Sequence, residues 1–407
     1  MLMKSFYIGV FLSLWVITAH AQTDTTTYLT IAKEVQKRLA PDKRAVYFNL
    51  QFKGDSVKLE STSADVIKTF VSETAILNQE KLITELLPAK SLNDLVYAVV
   101  NVSVGNNRAN PQHGAELMTQ TLLGTPVQVL KKQGAFYLVK TPDNYLAWTD
   151  GSLKLMNEQA FKEWQKADKI VFTADYGHAF TSPRFNGMRV SDLVNGNILQ
   201  LLAWGKVFCK ISYPDGRIGY VETAKIGLYK DWVKRSNPTA KAILKTAETL
   251  IGVPYLWGGT SVKGVDCSGF TKTAYFLNGI VIPRDASQQA LVGKEIDVLE
   301  GDSISLTKCL KNLLPGDLLF FSAAKRRGIN GGRVSHTAIY IGNGEFIQSA
   351  SMVKISSFLP TATNYDGGQS PTLVGARRIL TEIGKPEITR IDQHNWYKGI
   401  KHDYNLS

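Results

Sequence analysis

Cysteine is scarce in this sequence: Cys209, Cys267 and Cys309 are the only three in 407 residues. So small and odd a number excludes a framework stapled by disulfides. There is no C-x-x-C and no H-E-x-x-H, so the usual zinc-ligand spacings are missing, and neither a metal nor another cofactor is expected. Acidic side chains are the minority, 35 Asp and Glu against 47 Lys and Arg, for a formal net charge of +12. A basic surface favours anionic partners. No zinc-finger spacing, recognition-helix pattern or aromatic RNA-binding motif accompanies it, so nucleic acid is not the expected partner. Beyond the N-terminus no apolar run approaches the roughly 20 residues that a membrane span needs.

The N-terminus itself carries Lys4, an apolar run from Phe6 to Ile17, and then Ala19-His20-Ala21. This pattern reads as a secretory leader over 1–21 with the mature chain starting at Gln22. The alternative, an uncleaved anchor, is disfavoured by the shortness of the run. No cysteine follows it to carry a lipid. The mature chain is expected to be exported, periplasmic or extracellular, without stable membrane insertion, and a monomer is favoured. Hydrophobic content of 44% and charged content of 20% are ordinary for globular domains. The length suits about two to four of them.

Residues 22–97 read as a small α+β module. Ile31, Val35 and Leu39 recur at helical spacing, "RAVYFNLQFKGDSVKLEST" alternates as a hairpin about Gly54-Asp55, and "SADVIKTFVSETA" begins with helix-capping residues. Residues 98–160 and 161–233 contain a weak internal repeat. In "LLGTPVQVLKKQGAFYLVKTPDNYLAW" and "VNGNILQLLAWGKVFCKISYPDGRIGY" a strand, a polar or glycine break, a strand, a Pro-Asp turn and a short strand follow in the same order. Such spacing implies two small β-barrels. The last module, 234–407, opens with a helix after Asn237-Pro238 whose buried stripe is Ile243, Ala247 and Leu250.

The chemistry gathers in "YLWGGTSVKGVDCSGFTKTAYFLNGI". Glycines 258, 259 and 264 make a tight loop, and apolar residues at 270, 274 and 277 then recur with helical spacing. Cys267 therefore falls at the first turn of a helix. Unpaired N–H groups and the helix dipole there are expected to stabilise a thiolate, lower its pKa and supply part of an oxyanion hole. Cys209 and Cys309 sit among apolar neighbours and are expected as buried free thiols, with a bridge between them as the alternative. A nucleophilic thiol needs an imidazole. Of six histidines, His20 leaves with the leader, His113 and His178 belong to the barrels, and His394 and His402 lie in a polar tail. His336 begins "HTAIYIGNGEFIQSA", a hairpin about Asn343-Gly344, and is the histidine left in the cysteine's own module.

Four segments, "WGGTSVKGVDCSGF", "IPRDASQQ", "LLPGDLLFF" and "VSHTAIYIGNGEFIQSA", occur in this order. Together they resemble the NlpC-type cysteine peptidases of bacterial murein over about residues 237–380, and the two barrels resemble bacterial SH3-like domains. The resemblance implies a multidomain α+β chain: a papain-like C-terminal domain preceded by two SH3-like barrels and the small N-terminal module. It implies Cys267 as nucleophile, His336 as general base, and a third polar residue twelve positions later, here Gln348. The family commonly has His there. A Gln amide can orient the ring but lacks the charge of a carboxylate. Tyr255, Asp266 and Ser268 would line the site. Asp285 would receive a substrate ammonium, with Glu116 and Tyr145 of the first barrel beside it, since a buried cation must be paired. A Ser commonly follows that Asp, and Ala286 stands here instead. Asp317 is read as structural, in a turn before a buried strand.

The implied activity is hydrolysis of the γ-D-glutamyl–L-diamino acid bond in murein peptides with a free N-terminal L-alanine, through a thioester. Two alternatives stay open: a murein cysteine amidase of other bond specificity, and a catalytically silent wall-binding protein acting through its barrels. One geometric expectation is sharp. A simple two-residue turn at Asn343-Gly344 would turn Gln348 away from His336, because strand side chains alternate. An extra residue in the hairpin, permitted by Gly342 and Gly344, would bring the two onto one face.

Overall fold

The computed structural model describes residues 25–54, 56–77, 79–234, 237–301, 303–322 and 334–397. The leader at 1–21 and His402 fall outside the described residues. The chain divides into two compact units, Met1–Asn93 and Asp94–Ser407. Among the described residues no helix is long and apolar enough to cross a membrane.

In the first unit a helix over 25–39 precedes the antiparallel pair Phe48–Lys53 and Ser56–Ser61. The next helix, Ala64–Glu73, starts where Ser63 Oγ accepts the Val66 N–H at 3.3 Å. A third strand, Leu82–Leu86, returns parallel to Ser56–Ser61. Tyr28, Val35, Val57, Leu59, Val66 and Phe70 close the core between helices and sheet.

The second unit begins with two seven-stranded antiparallel sheets of identical order. In the first, Leu153–Met156, Tyr97–Val100, Pro126–Gln133, Phe136–Lys140, Leu146–Thr149, Val104–Arg108 and Leu117–Leu122 lie side by side. In the second, the same places are taken by Ile226–Leu228, Lys169–Phe172, Ile198–Ala203, Phe208–Ser212, Ile218–Glu222, Tyr176–Phe180 and Arg189–Val194. The repeated segment supplies three adjacent strands of each sheet. Both Pro-Asp turns continue into a residue with positive φ, Asn144 at 60° and Gly216 at 90°, types that tolerate the left-handed region. Between the sheets, helix Glu158–Lys166 is capped by Asn157 and buries Phe161 and Trp164.

The C-terminal module is built on a six-stranded antiparallel sheet in the order Lys294–Ile296, Leu373–Arg378, Leu318–Phe321, His336–Gly342, Glu345–Ala350, Met352–Ser357. Helix Ala240–Thr249 contributes Ile243 and Ala247, and helix Cys267–Phe276 contributes Phe270 and Ala274, to a core shared with Ile339 and Ile347 of the sheet. Leu122 and Val194, one from each β-module, enter the same core. Both β-modules are thus packed into the module that carries Cys267, and Phe270 alone, wholly buried, contributes about 1.5–3 kcal/mol.

His394 departs from the expectation of a solvated tail: it is buried. Its Nε2 donates to the Pro142 carbonyl at 2.9 Å, and its Nδ1 accepts the Trp396 N–H at 3.2 Å. The reason lies in its neighbours, because Trp396 packs edge-on against Tyr97 and Phe161 and pins the segment to the first β-module. Asp317 is structural as read, accepting the Leu314 N–H at 2.8 Å in the turn and pairing with Arg378 at 2.7 Å.

Candidate active site

The loop before Cys267 folds tightly because glycines leave room for it. A Cβ on Gly258, at φ +78°, would meet the Leu117 carbonyl of the first β-module at 2.5 Å, and one on Gly269 would meet the Gly259 carbonyl at 1.9 Å. The loop therefore sits directly on the first turn of the helix. Asp266 caps that helix, with Oδ1 accepting the Gly269 N–H at 2.6 Å and Oδ2 the Gly258 N–H at 2.9 Å. Cys267 is the first helical residue. The N–H groups of such first-turn residues have no partner inside the helix and suit a developing oxyanion.

His336 opens the strand that packs against this helix, and the Thr337 and Ser268 amides both favour the Cys267 thiolate. The hairpin holds the extra residue. Ile339 pairs with Ile347, Tyr340 with Phe346 and Gly342 with Glu345, so Ile341 is bulged. Asn343 and Gly344 make the turn with φ of 51° and 80°. Gln348 consequently shares a face with His336, and its Oε1 lies 2.7 Å from His336 Nε2. Gln348 is wholly buried, and its NH2 donates to Ser356 Oγ at 2.9 Å and to Asp366 Oδ2 at 2.7 Å.

The protonation states differ from the sequence expectation. Burial pushes the Cys267 thiol up to about 12, helped by the Asp266 carboxylate, and the Thr337 amide, Arg284 and the Ser268 amide only partly offset it. Desolvation of a nearly enclosed thiolate outweighs the helix terminus that was expected to lower it. Burial likewise holds His336 below its ordinary value, against the Gln348 hydrogen bond and the Asp366 and Asp266 carboxylates. Burial thus disfavours the charged form of both groups.

Arg284, inside the "IPRDASQQ" segment, was assigned nothing from sequence. It is wholly buried and joins the parts of the site. Its guanidinium donates to Asp266 Oδ2 at 2.6 Å and Oδ1 at 3.1 Å, to Ser268 Oγ at 3.0 Å, and to Thr119 Oγ1 of the first β-module at 2.8 Å. Asp266 and Ser268, expected to line the site, are themselves buried and committed to this clamp. Asp285 caps the short helix Ala286–Gln289, lies 3.8 Å from Arg284, and accepts the Tyr145 hydroxyl at 3.0 Å. Tyr145, buried in the β-module, thereby reaches the C-terminal module. Exposed Glu116 accepts the Trp257 indole N–H at 2.9 Å, beside Tyr255 on the same loop. Tyr255 is half-buried, and its phenol is raised by desolvation first and then by the charges of Cys267 and Asp266.

Asp366 is the other residue the sequence did not flag, since nothing in "NYDGGQS" distinguishes it from a turn Asp. Cys209 and Cys309 are buried free thiols. Among the described residues no group of three or more His, Cys, Asp or Glu could hold a metal ion.

The model of the NlpC/P60 family matches residues 252–365, and that of the bacterial dipeptidyl-peptidase SH3 domain matches residues 107–151. The chain is 29% identical over 273 residues to the gamma-D-glutamyl-L-lysine dipeptidyl-peptidase of Bacillus cereus, covering 65% of this chain and 76% of that one. It is 28% identical to the Bacillus subtilis protein of the same name over 275 residues, covering 65% and 82%. A crystal structure of an NlpC/P60 family protein from Bacillus cereus has the same fold, with a TM-score of 0.57 and 24% identity over 70% of this chain and 99% of that one.

Proposed function

We propose that this hydrolase, whose chain carries an NlpC/P60 domain of cysteine-peptidase type and a bacterial SH3 domain, cuts the γ-D-glutamyl–L-diamino acid bond of murein peptides bearing a free N-terminal L-alanine. Murein peptides are its substrates, and the leader read at 1–21 puts the work outside the cytoplasm. The observation that carries the reading is Arg284. One buried guanidinium holds Asp266, next to Cys267, and lies beside Asp285, whose carboxylate suits an ammonium. A nucleophile and an amine acceptor are thereby kept at a set separation, as removal of an N-terminal dipeptide requires.

In the reaction His336 takes the Cys267 proton as sulfur attacks the γ-glutamyl carbonyl carbon. First-turn amides of the Cys267 helix receive the oxyanion. The imidazolium, oriented by Gln348, gives its proton to the departing amine of the diamino acid, leaving a thioester. Neutral His336 then activates water to release the dipeptide. The test is mass spectrometry of L-Ala-γ-D-Glu released from a defined tripeptide. An intact tripeptide after prolonged incubation with folded protein would overturn the reading.

Blocking the N-terminus is expected to hurt more than changing the C-terminus. Acetylation removes the ammonium and with it the charge-assisted hydrogen bond to Asp285, a loss of about 1.5–3 kcal/mol or roughly 10- to 100-fold in kcat/KM. Equal cleavage of the acetylated and free peptides would remove Asp285, Glu116 and Tyr145 from the site.

The acid limb of kcat/KM follows from His336. The base must be neutral, and it protonates as pH falls through its pKa. That pKa is held below the ordinary 6.5, so the limb is expected below pH 6.5. A pH–rate profile of dipeptide release measures it, and a limb above 6.5 would show that the fold raises the imidazole instead of lowering it.

A further inference from the structure

A glutamine amide has two ends that differ only in which atom donates. If the NH2 of Gln348 faced His336, the ring's Nε2 would have to accept, its proton would sit on Nδ1, and no lone pair would remain there for the thiol. The observed arrangement has the opposite sense, with Oε1 2.7 Å from His336 Nε2. Ser356, at 2.9 Å from the NH2, does not enforce it, because a hydroxyl donates or accepts with equal ease. Asp366 does. Its Oδ2 lies 2.7 Å from the same NH2, and an ionised carboxylate only accepts.

The carboxylate is itself anchored. Its Oδ1 accepts the Gln369 N–H at 2.9 Å, its backbone N–H donates to Ser357 at 3.0 Å, and its carbonyl accepts the Ser370 N–H at 2.9 Å. Burial acts to raise the Asp366 carboxyl, but the Gln369 amide, Gln348, Lys354 and the Gly368 amide outweigh it and keep it below the ordinary carboxylate range. It therefore stays an acceptor at neutral pH.

We propose that Asp366 is a positioning residue: it fixes the orientation of the Gln348 amide and, through it, the Nε2–H tautomer of His336, leaving the Nδ1 lone pair for the thiol proton. The inference rests on His336 being the base proposed above. It also explains how a neutral amide serves as the ring-orienting group: the acceptor-only charge stands one residue further back.

The donor pattern gives a test that shape alone would not. In Asp366→Asn the side chain keeps an acceptor for Gln369 and turns its own NH2 toward Gln348. Two NH2 groups cannot face each other, so the Gln348 amide inverts and His336 takes the Nδ1–H tautomer. Asp366→Ala merely removes the preference. The near-isosteric Asn variant is thus expected to lose more kcat, about 100-fold, than the Ala variant, at about 10-fold, with KM little changed in either. Asp366→Ser, whose hydroxyl accepts or donates, replaces Ala if the latter fails to fold.

Nitrogen-15 NMR of the ring reads the tautomer directly: Nε2–H in the unmodified protein, Nδ1–H in Asp366→Asn. In a Gln348→Ala background, Asp366→Asn is expected to cost nothing further. An Asn variant no worse than Ala, an unchanged tautomer, or additive losses in the double variant would each overturn the proposal. The NMR arm needs no turnover. A tautomer that switches in a protein releasing no dipeptide would sink the peptidase reading while leaving this one standing.

Discussion

Cys267→Ser is expected to give a folded protein with no measurable release of dipeptide. The change swaps one atom at the first position of a capped helix, and the Asp266 cap and the Arg284 clamp do not involve the sulfur. Thermal unfolding should therefore be close to that of the parent. Turnover fails because a hydroxyl is a far weaker nucleophile than sulfur and holds its proton more tightly. Burial already pushes the thiol up, and a hydroxyl in the same place is a weaker acid still. His336→Ala should cost at least about 100-fold, the low end for loss of a general base. Mass spectrometry of the tripeptide digest measures both. Either variant working at near-normal rate would end the case for a thiol peptidase on this chain.

Arg284→Met is expected to be the most damaging change away from the nucleophile, at about 3–5 kcal/mol of stability. Arg284 and Asp266 are both buried, and their pair is 2.6 Å long. Removing one partner leaves the other as an uncompensated buried charge and also frees Ser268 and Thr119 from their donor. The helix cap at Cys267 and the seam with the first β-module should loosen together. Adding Asp266→Asn removes the stranded charge, so the double variant should recover part of the loss. Urea unfolding of the three proteins checks this. A single variant within about 1 kcal/mol of the parent would mean that water reaches the pair and that the clamp carries little.

The parts of this site that were legible in the sequence are those that local rules determine. Helical spacing after a glycine-rich loop put Cys267 on a first turn, and there it stands. Period-two alternation required an extra residue in the hairpin if Gln348 was to face His336. The bulge at Ile341 supplies it, beside the glycine at 342. The repeat of strand, strand and Pro-Asp turn appeared as two sheets of identical strand order. Each of these follows from backbone geometry within a few tens of residues.

What the sequence left undetermined depends on groups far apart in the chain. Whether a thiol at a helix start is acid or weakly acid turns on how much water the fold leaves around it. Burial decided against the helix terminus, because removing a charge from water costs more than two or three amide dipoles return. Arg284 reads as an ordinary charged residue until folding brings Asp266, eighteen positions away, and Thr119, from another module, to its guanidinium. His394 looked solvated until Trp396 found Tyr97 and Phe161. Asp366 became more than a turn residue only when a neighbouring strand carried Gln348 to its carboxylate. The residue types and their spacing determined which chemistry this chain could attempt. Tertiary structure decided how far the thiol and the ring are withdrawn from water and which groups meet them, since no local pattern encodes desolvation or distant partners.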